Sequence, residues 1–322
     1  MKESRLWFFM QEQVLKGKAV QFLCVLESSG SSPGRQGFKM AVTEDDLMGS
    51  IGGGIMEFKF VETARDLIKK NKEETLVKKQ VHAKNSSYQS GMICSGEQTI
   101  VIYPVTEDAD TLFRIAKAIE GNVSGVLQLT PDGFAFFENE NMEGTSTFEK
   151  TSDAVWIYRE KTGYKNYLYI IGGGHVSLAL SRLMHNLDFY IKIFDDRKDL
   201  NTFMNNDFVH EKELVNYDAI GKLIPEGNNN YVVIMTFGYR SDSVVLRQLI
   251  KKNFKYLGLL GSKAKVKKML EELRDEGVDE KYIKQLHAPI GLQIKSETPE
   301  EIAVSIAAEI IQEKNNLDNL KI

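Results

Sequence analysis

Residues 167–184 read YLYIIGGGHVSLALSRLM: an apolar run, three glycines, then apolar residues recurring every three to four positions. Val176, Ala179, Leu180, Leu183 and Leu187 share one helical face, so this stretch predicts a strand passing through a tight turn into a helix over about 176–187. At such a junction the first helical N–H groups lack partners and the positive end of the helix dipole lies beside them, an arrangement that receives anions. The rhythm continues downstream. FYIKIFDD, YVVIMTF and YLGLL read as further strands, with DFVHEK, the short helix YDAIGKLI and a helix near 242–252 between them. Strands alternating with helices predict βαβ units and a Rossmann-like, doubly wound parallel sheet. The chain closes on a helix marked by Thr298, Pro299 and Glu301, which supply an N-cap, a first-turn proline and a capping-box acid.

A second glycine triplet, Gly52, Gly53 and Gly54, precedes another helical pattern with Met56, Phe60, Val61, Ala64, Leu67 and Ile68 on one face. Around it, AVQFLCVLES, FKMAV, TLVKKQVHA and QTIVIYPV read as strands, residues 110–119 as a helix, and VSGVLQLTPDGFAFFE as a hairpin turning at Pro131, Asp132 and Gly133. The sequence turns polar between about 140 and 165. The expectation is therefore an α/β protein, with an N-terminal α/β domain over 1–160 and a Rossmann-like domain over 161–322. Two glycine turns predict two anion-receiving sites, or one shared across the boundary.

At 322 residues, 42% hydrophobic and 27% charged, the composition is that of a globular protein large enough for two cores. The net charge of −4 offers no basic footprint for nucleic acid or anionic membranes. No apolar run approaches the roughly 20 residues needed to span a bilayer. The N-terminus lacks the apolar core of a signal peptide, so a cytoplasmic location is expected, with Cys24 and Cys94 as free thiols.

Gly172, Gly174 and Ser177 occupy the three small positions of a GxGxxG dinucleotide fingerprint, with Gly173 inside the turn. Asp195 stands at the end of the next strand, about 20 residues on, where such folds place the acid that grips a ribose. His175 at the helix start fits a phosphate or substrate contact and equally a structural cap. The remaining histidines show no zinc-ligand spacing. In the first half, SSGSSPGRQGFKM places Arg35 and Lys39 near the first triplet, where backbone N–H groups could cradle an anion. Glu57, in the following first turn, reads as a dipole-compatible acid. Cys94, between glycines in QSGMICSGE, is placed for thiolate chemistry or soft-metal ligation, and equally reads as an ordinary thiol.

These segments together resemble the xanthine dehydrogenase accessory factors of the XdhC/CoxI type. The resemblance rests on GSSPGRQGFKM, GSIGGGIME and SGMICSGE, then on IIGGGHVSLAL, FDDR, YLGLLGSKAK, HAPIGL and TPEEIAVSIAAEI. It implies a maturation factor, closer to a chaperone than to a turnover enzyme. Such a factor binds the molybdenum cofactor (molybdopterin), supports its sulfuration with a cysteine desulfurase, and delivers it to a xanthine or carbon monoxide dehydrogenase. On that resemblance Cys94 becomes the candidate metal ligand or sulfur-handling residue, and Gly52, Gly53, Gly54, Arg35, Gly172, Gly173, Gly174, His175, Ser177 and Asp195 the candidate cofactor contacts. A homodimer is one assembly it allows. The chain departs from the family where Ile55 replaces a cysteine after the first triplet, and where Thr236, Phe237, Gly238 and Tyr239 replace a histidine-bearing stretch. The fingerprint and Asp195 keep an alternative open, an NAD(P)-dependent oxidoreductase.

Overall fold

In a computed structural model, residues 2–82, 96–106, 109–152 and 154–316 are described. They divide into two compact units, Met1–Gly163 and Tyr164–Ile322. The first unit runs α1 (Lys2–Leu15), β1 (Gln21–Gly30), β2 (Lys39–Val42), β3 (Leu47–Gly49), α2 (Gly54–Lys69), β4 (Leu76–His82), β5 (Gly96–Pro104), α3 (Ala109–Glu120), β6 (Gly125–Thr130), β7 (Gly133–Glu138), β8 (Ser146–Ser152) and β9 (Val155–Thr162). It holds two antiparallel sheets, ordered β3-β2-β1-β5-β4 and β7-β6-β9-β8. The period of two in β1 sends Phe22, Cys24 and Leu26 to one core, with α1, α3 and the smaller sheet. Leu23 and Val25 go to a second core, against Phe60, Val61, Ala64 and Leu67 of α2.

Two features here escape the sequence reading. The N-terminal stretch reads only as unlike a signal peptide, yet it forms α1, whose Leu6, Trp7, Phe9 and Met10 are core residues. The polar stretch that reads as a boundary forms β8 and β9, and Trp156, Tyr158, Glu160 and Thr162 alternate inward along β9.

The second unit runs β10 (Asn166–Ile171), α4 (His175–His185), β11 (Phe189–Asp195), α5 (Asn201–Met204), β12 (Glu211–Leu214), α6 (Ile220–Leu223), β13 (Gly227–Ile234), α7 (Tyr239–Leu249), β14 (Phe254–Leu259), α8 (Lys263–Asp275), α9 (Glu280–Lys284), β15 (Leu286–His287) and α10 (Pro299–Asn315). All six strands are parallel, in the order β12-β11-β10-β13-β14-β15. Numbered within the unit this is 3-2-1-4-5-6, the Rossmann order. Leu168 and Ile170 of β10 pack on the α4 and α10 side, and Tyr169 and Ile171 on the α7 and α8 side, so helices cover both faces. The predicted capping box opens α10: Thr298 accepts from the Glu301 N–H at 3.2 Å and Glu301 returns to the Thr298 N–H at 3.1 Å.

Candidate functional site

Strand order reverses between β10 and β13, and a parallel sheet opens its binding crevice at such a point, outside the carboxyl ends of the strands. Ile171 of β10 is level with Phe194 of β11 and Ile234 of β13, so the three following turns emerge side by side. Gly172 donates to the Phe194 carbonyl at 2.7 Å and Met235 to the Ile171 carbonyl at 2.8 Å. Gly172 has φ 109°, and a Cβ there would sit 2.2 Å from the Met235 carbonyl oxygen, so only glycine lets the turns lie this close. A Cβ on Gly173 would fall 2.8 Å from the Phe203 side chain. Gly174 differs. It caps α4 with φ −73°, and a Cβ there would meet open space.

No side chain caps α4 at Gly174. In its first turn, the Ser177 hydroxyl is buried and has no protein partner, while His175 is exposed. Uncapped N–H groups beside an open glycine are the features a bound phosphate would satisfy. His175 also borders a groove of about 220 Å³ between α4 and α10, with Arg182, Pro299 and Glu300.

Asp195 lies at the end of β11, as the fingerprint predicts, but its carboxylate is engaged. It is fully buried and accepts from the Gly173 N–H at 2.6 Å, the Arg197 N–H at 2.9 Å, and Arg197 Nε and Nη2 at 2.8 Å each. Burial works against its charge, but the Arg197 guanidinium and the two backbone donors outweigh it and hold the carboxyl below the ordinary aspartate value. Asp195 thus braces the glycine turn. The group that emerges toward solvent is Arg197, whose guanidinium carbon lies 5.4 Å from the centre of the Phe237 ring.

The turn after β13 is equally fixed. Asp242, buried in α7, accepts from the Thr236 N–H at 2.9 Å and hydroxyl at 2.6 Å, and its other oxygen pairs with Lys265 of α8. The sequence reading gives neither Phe237 nor Arg197 a role in binding. An aromatic residue three positions past the end of a central strand is the available signal for Phe237.

In the first unit the glycine triplet is built differently. Gly52, Gly53 and Gly54 all have positive φ (128°, 75° and 71°), and a Cβ on Gly52 would sit 2.4 Å from the Gly34 nitrogen. The N–H groups expected to receive an anion already have one: Glu57 Oε2 accepts from Ile51 and Gly53 N–H at 2.9 Å each, and from the Ser50 hydroxyl at 2.6 Å. The flanking cations do not converge on this turn. Arg35 is exposed and donates to the Gly30 carbonyl at 3.0 Å. Lys39 is buried against Glu160 and Glu3, an ion-pair cluster that corrects its assignment to an anion cradle. A missed residue, buried Gln98, shapes the Ser31–Gly34 stretch by accepting from the Ser32 hydroxyl at 2.8 Å and the Gly34 N–H at 3.0 Å, while donating to Gln80 at 2.8 Å. Its trace in the sequence is a glutamine, Gln98, that opens the apolar run of β5. Cys94 lies outside the described residues. Among those described, no group of three or more His, Cys, Asp or Glu is placed to hold a metal ion, and no helix is long and apolar enough to cross a membrane.

Two family models match. Residues 14–78 match the XdhC and CoxI family, and residues 168–310 the XdhC Rossmann domain, which together span well over half of the chain. The chain belongs to the XdhC/CoxI family. Within the wider group, an uncharacterized Escherichia coli K12 protein, YqeB, is 27% identical over 296 residues, covering 91% of this chain and 43% of YqeB. A Bacillus subtilis 168 protein described as a probable xanthine dehydrogenase subunit is 36% identical over 85 residues, covering 26% of this chain and 24% of that protein. The chain therefore spans less than half the length of these curated relatives. A crystal structure described as a xanthine dehydrogenase from Bacillus halodurans superposes with a TM-score of 0.72 at 20% identity over 98% of both chains, a likeness of fold. For this XdhC/CoxI chain, the family's Rossmann unit contains the entire crevice described above.

Proposed function

We propose that this protein is an accessory factor in the maturation of a xanthine dehydrogenase-type molybdenum enzyme, and that it binds the molybdenum cofactor for sulfuration and delivery. The observation that carries the reading is the first turn of α4, where Gly174 faces open space and no side chain caps the helix N–H groups. The cofactor ends in a phosphate, and that turn offers the phosphate its N–H groups and its dipole. When bound, the cofactor would bring a sulfur-accepting metal. Cys94, set between glycines in the sequence, is the candidate thiolate, because Cys24 is buried in β1. In this reading the partners are a cysteine desulfurase and a molybdenum hydroxylase of the xanthine or carbon monoxide dehydrogenase type, all in the cytoplasm.

Support for the NAD(P) alternative is weaker, since the carboxylate it needs for a ribose is held by Gly173 and Arg197. Anaerobic purification followed by molybdenum analysis and fluorescence of the oxidised pterin tests the reading, with NAD(P) binding measured in parallel. Retained pterin, lost in Gly174→Val, is the expected result. Tight NAD(P) binding without pterin retention would reverse the assignment. Cys94→Ser is expected to lower sulfuration or cofactor retention with the fold intact, and unchanged client activation would remove Cys94 from the scheme.

A further inference from the structure

Phe237 is the most exposed large apolar side chain among the described residues, at 87% relative exposure. Its mounting is rigid. The preceding residue, Thr236, is tied to buried Asp242 through both its N–H and its hydroxyl, and the hydroxyl also reaches the Gly238 carbonyl at 3.3 Å. The neighbouring turn is in backbone contact, since a Cβ on Gly172 would lie 2.9 Å from the Thr236 Cα. The ring's cationic neighbour, Arg197, is clamped in one plane by Asp195. An aromatic face on a fixed turn, exposed beside a fixed guanidinium at the switch point, presents a platform on which a flat ring can stack with little loss of conformational freedom.

The next polar group along that edge sets which ring. Asp196 lies one residue beyond Asp195, is half-exposed, and has a carboxylate oxygen 3.8 Å from Arg197 Nε. It lines an open pocket of about 460 Å³ with Asn216, Tyr217 and Arg240. A carboxylate only accepts hydrogen bonds. A 2-amino-4-oxopyrimidine edge, as in pterin and guanine, offers it two adjacent N–H donors. Adenine sets an acceptor nitrogen beside its amino group and would leave one carboxylate oxygen facing a lone pair.

We infer that Phe237 and Asp196 form a subsite for the 2-amino-4-oxopyrimidine ring of a phosphate-bearing ligand, with stacking on Phe237 and edge recognition by Asp196. The inference rests on the phosphate reading of α4 and adds the side chains that would hold and select the ring.

Calorimetry on the full chain tests it with guanosine 5′-monophosphate, adenosine 5′-monophosphate, ribose 5-phosphate and the oxidised pterin phosphate released from molybdopterin. Phe237→Ala is expected to weaken the guanine and pterin probes about 5- to 100-fold, as removal of a base-stacking aromatic does. Ribose 5-phosphate should be unaffected, and Phe237→Trp should restore binding. Wild type should favour guanine over adenine by about tenfold, and Asp196→Asn should remove that preference. The tighter of the guanine and pterin probes identifies the source of the ring. Equal binding by wild type and Phe237→Ala, or equal affinity for guanine and adenine, overturns the inference alone. Ribose 5-phosphate binding unchanged in Gly174→Val instead overturns the phosphate reading. Absence of binding by every probe overturns both. Because Phe237 and Asp196 are exposed, thermal midpoints matching wild type should accompany both variants.

Discussion

The Asp195 carboxylate accepts the Gly173 N–H at 2.6 Å, tying the end of β11 to the turn that opens α4. Arg197 closes the bracket from the other side, so the position that a dinucleotide fingerprint reserves for a ribose instead stiffens the glycine turn.

Asp195→Asn puts amide hydrogens against donors. At neutral pH it should cost about 1–3 kcal/mol, the cost of leaving buried hydrogen-bonding groups unmatched. Its pH dependence has a defined sign. The folded carboxyl lies below its ordinary value of 3.8, so the stabilisation is fully present above that value and is lost as pH falls through the folded value. Urea unfolding at pH 7 and near pH 3 should therefore show the variant's deficit shrinking on the acid side. A deficit that stays constant or grows would contradict the bracket.

Glycines two positions apart should respond very differently to a methyl group. Gly172→Ala forces a Cβ against the Met235 carbonyl at a φ of 109° and should cost upward of about 2 kcal/mol, combining strain with overlap. Gly174→Ala meets no atom at an ordinary φ, so its stability should stay within about 0.5 kcal/mol of wild type. Denaturation midpoints of the two variants read this difference directly.

At the first triplet the chain supplies its own anion. Glu57→Ala leaves the Ile51 and Gly53 N–H groups without their acceptor and should cost about 1 kcal/mol, as loss of a helix-start acceptor does. It should also create a vacancy that sulfate can fill. The melting midpoint of Glu57→Ala should rise more steeply with sulfate than that of wild type, at ionic strength held constant with chloride. Parallel slopes would show that Glu57 does not occupy an anion site.

The Rossmann unit is legible because its signals are local: the glycine turn, the Asp195 interval and the Thr298–Glu301 capping box all act within a few residues or one βαβ unit. The first unit hides its logic in pairings distant in sequence. β9 carries a period-two pattern, but its inward set mixes Trp156 and Tyr158 with Glu160, and a charge at a core position makes a strand look like a polar linker. The compensating cation is Lys39, far back along the chain, which for the same reason reads in sequence as an exposed partner for an anion. Likewise, no spacing rule shows that Glu57 folds back onto the N–H groups before its own helix.

That buried pair supports a final prediction. Lys39 is 8% exposed at its side chain and Glu160 1%, with Tyr158 donating to Glu160 at 2.7 Å. Burial disfavours the Lys39 charge, but Glu160 and Glu3 more than offset it, raising its pKa above the ordinary 10.5. On the lysine's account, the stabilisation is complete below that value and is lost only as pH rises through the folded pKa, so it should be flat across the neutral range. Lys39→Met leaves a carboxylate buried without its cation and should cost about 3–5 kcal/mol. The double variant Lys39→Met/Glu160→Gln keeps an acceptor for Tyr158 and removes the stranded charge, so it should recover most of that loss. If the double variant is as unstable as the single one, the cost of Lys39→Met comes from lost packing and not from an uncompensated Glu160.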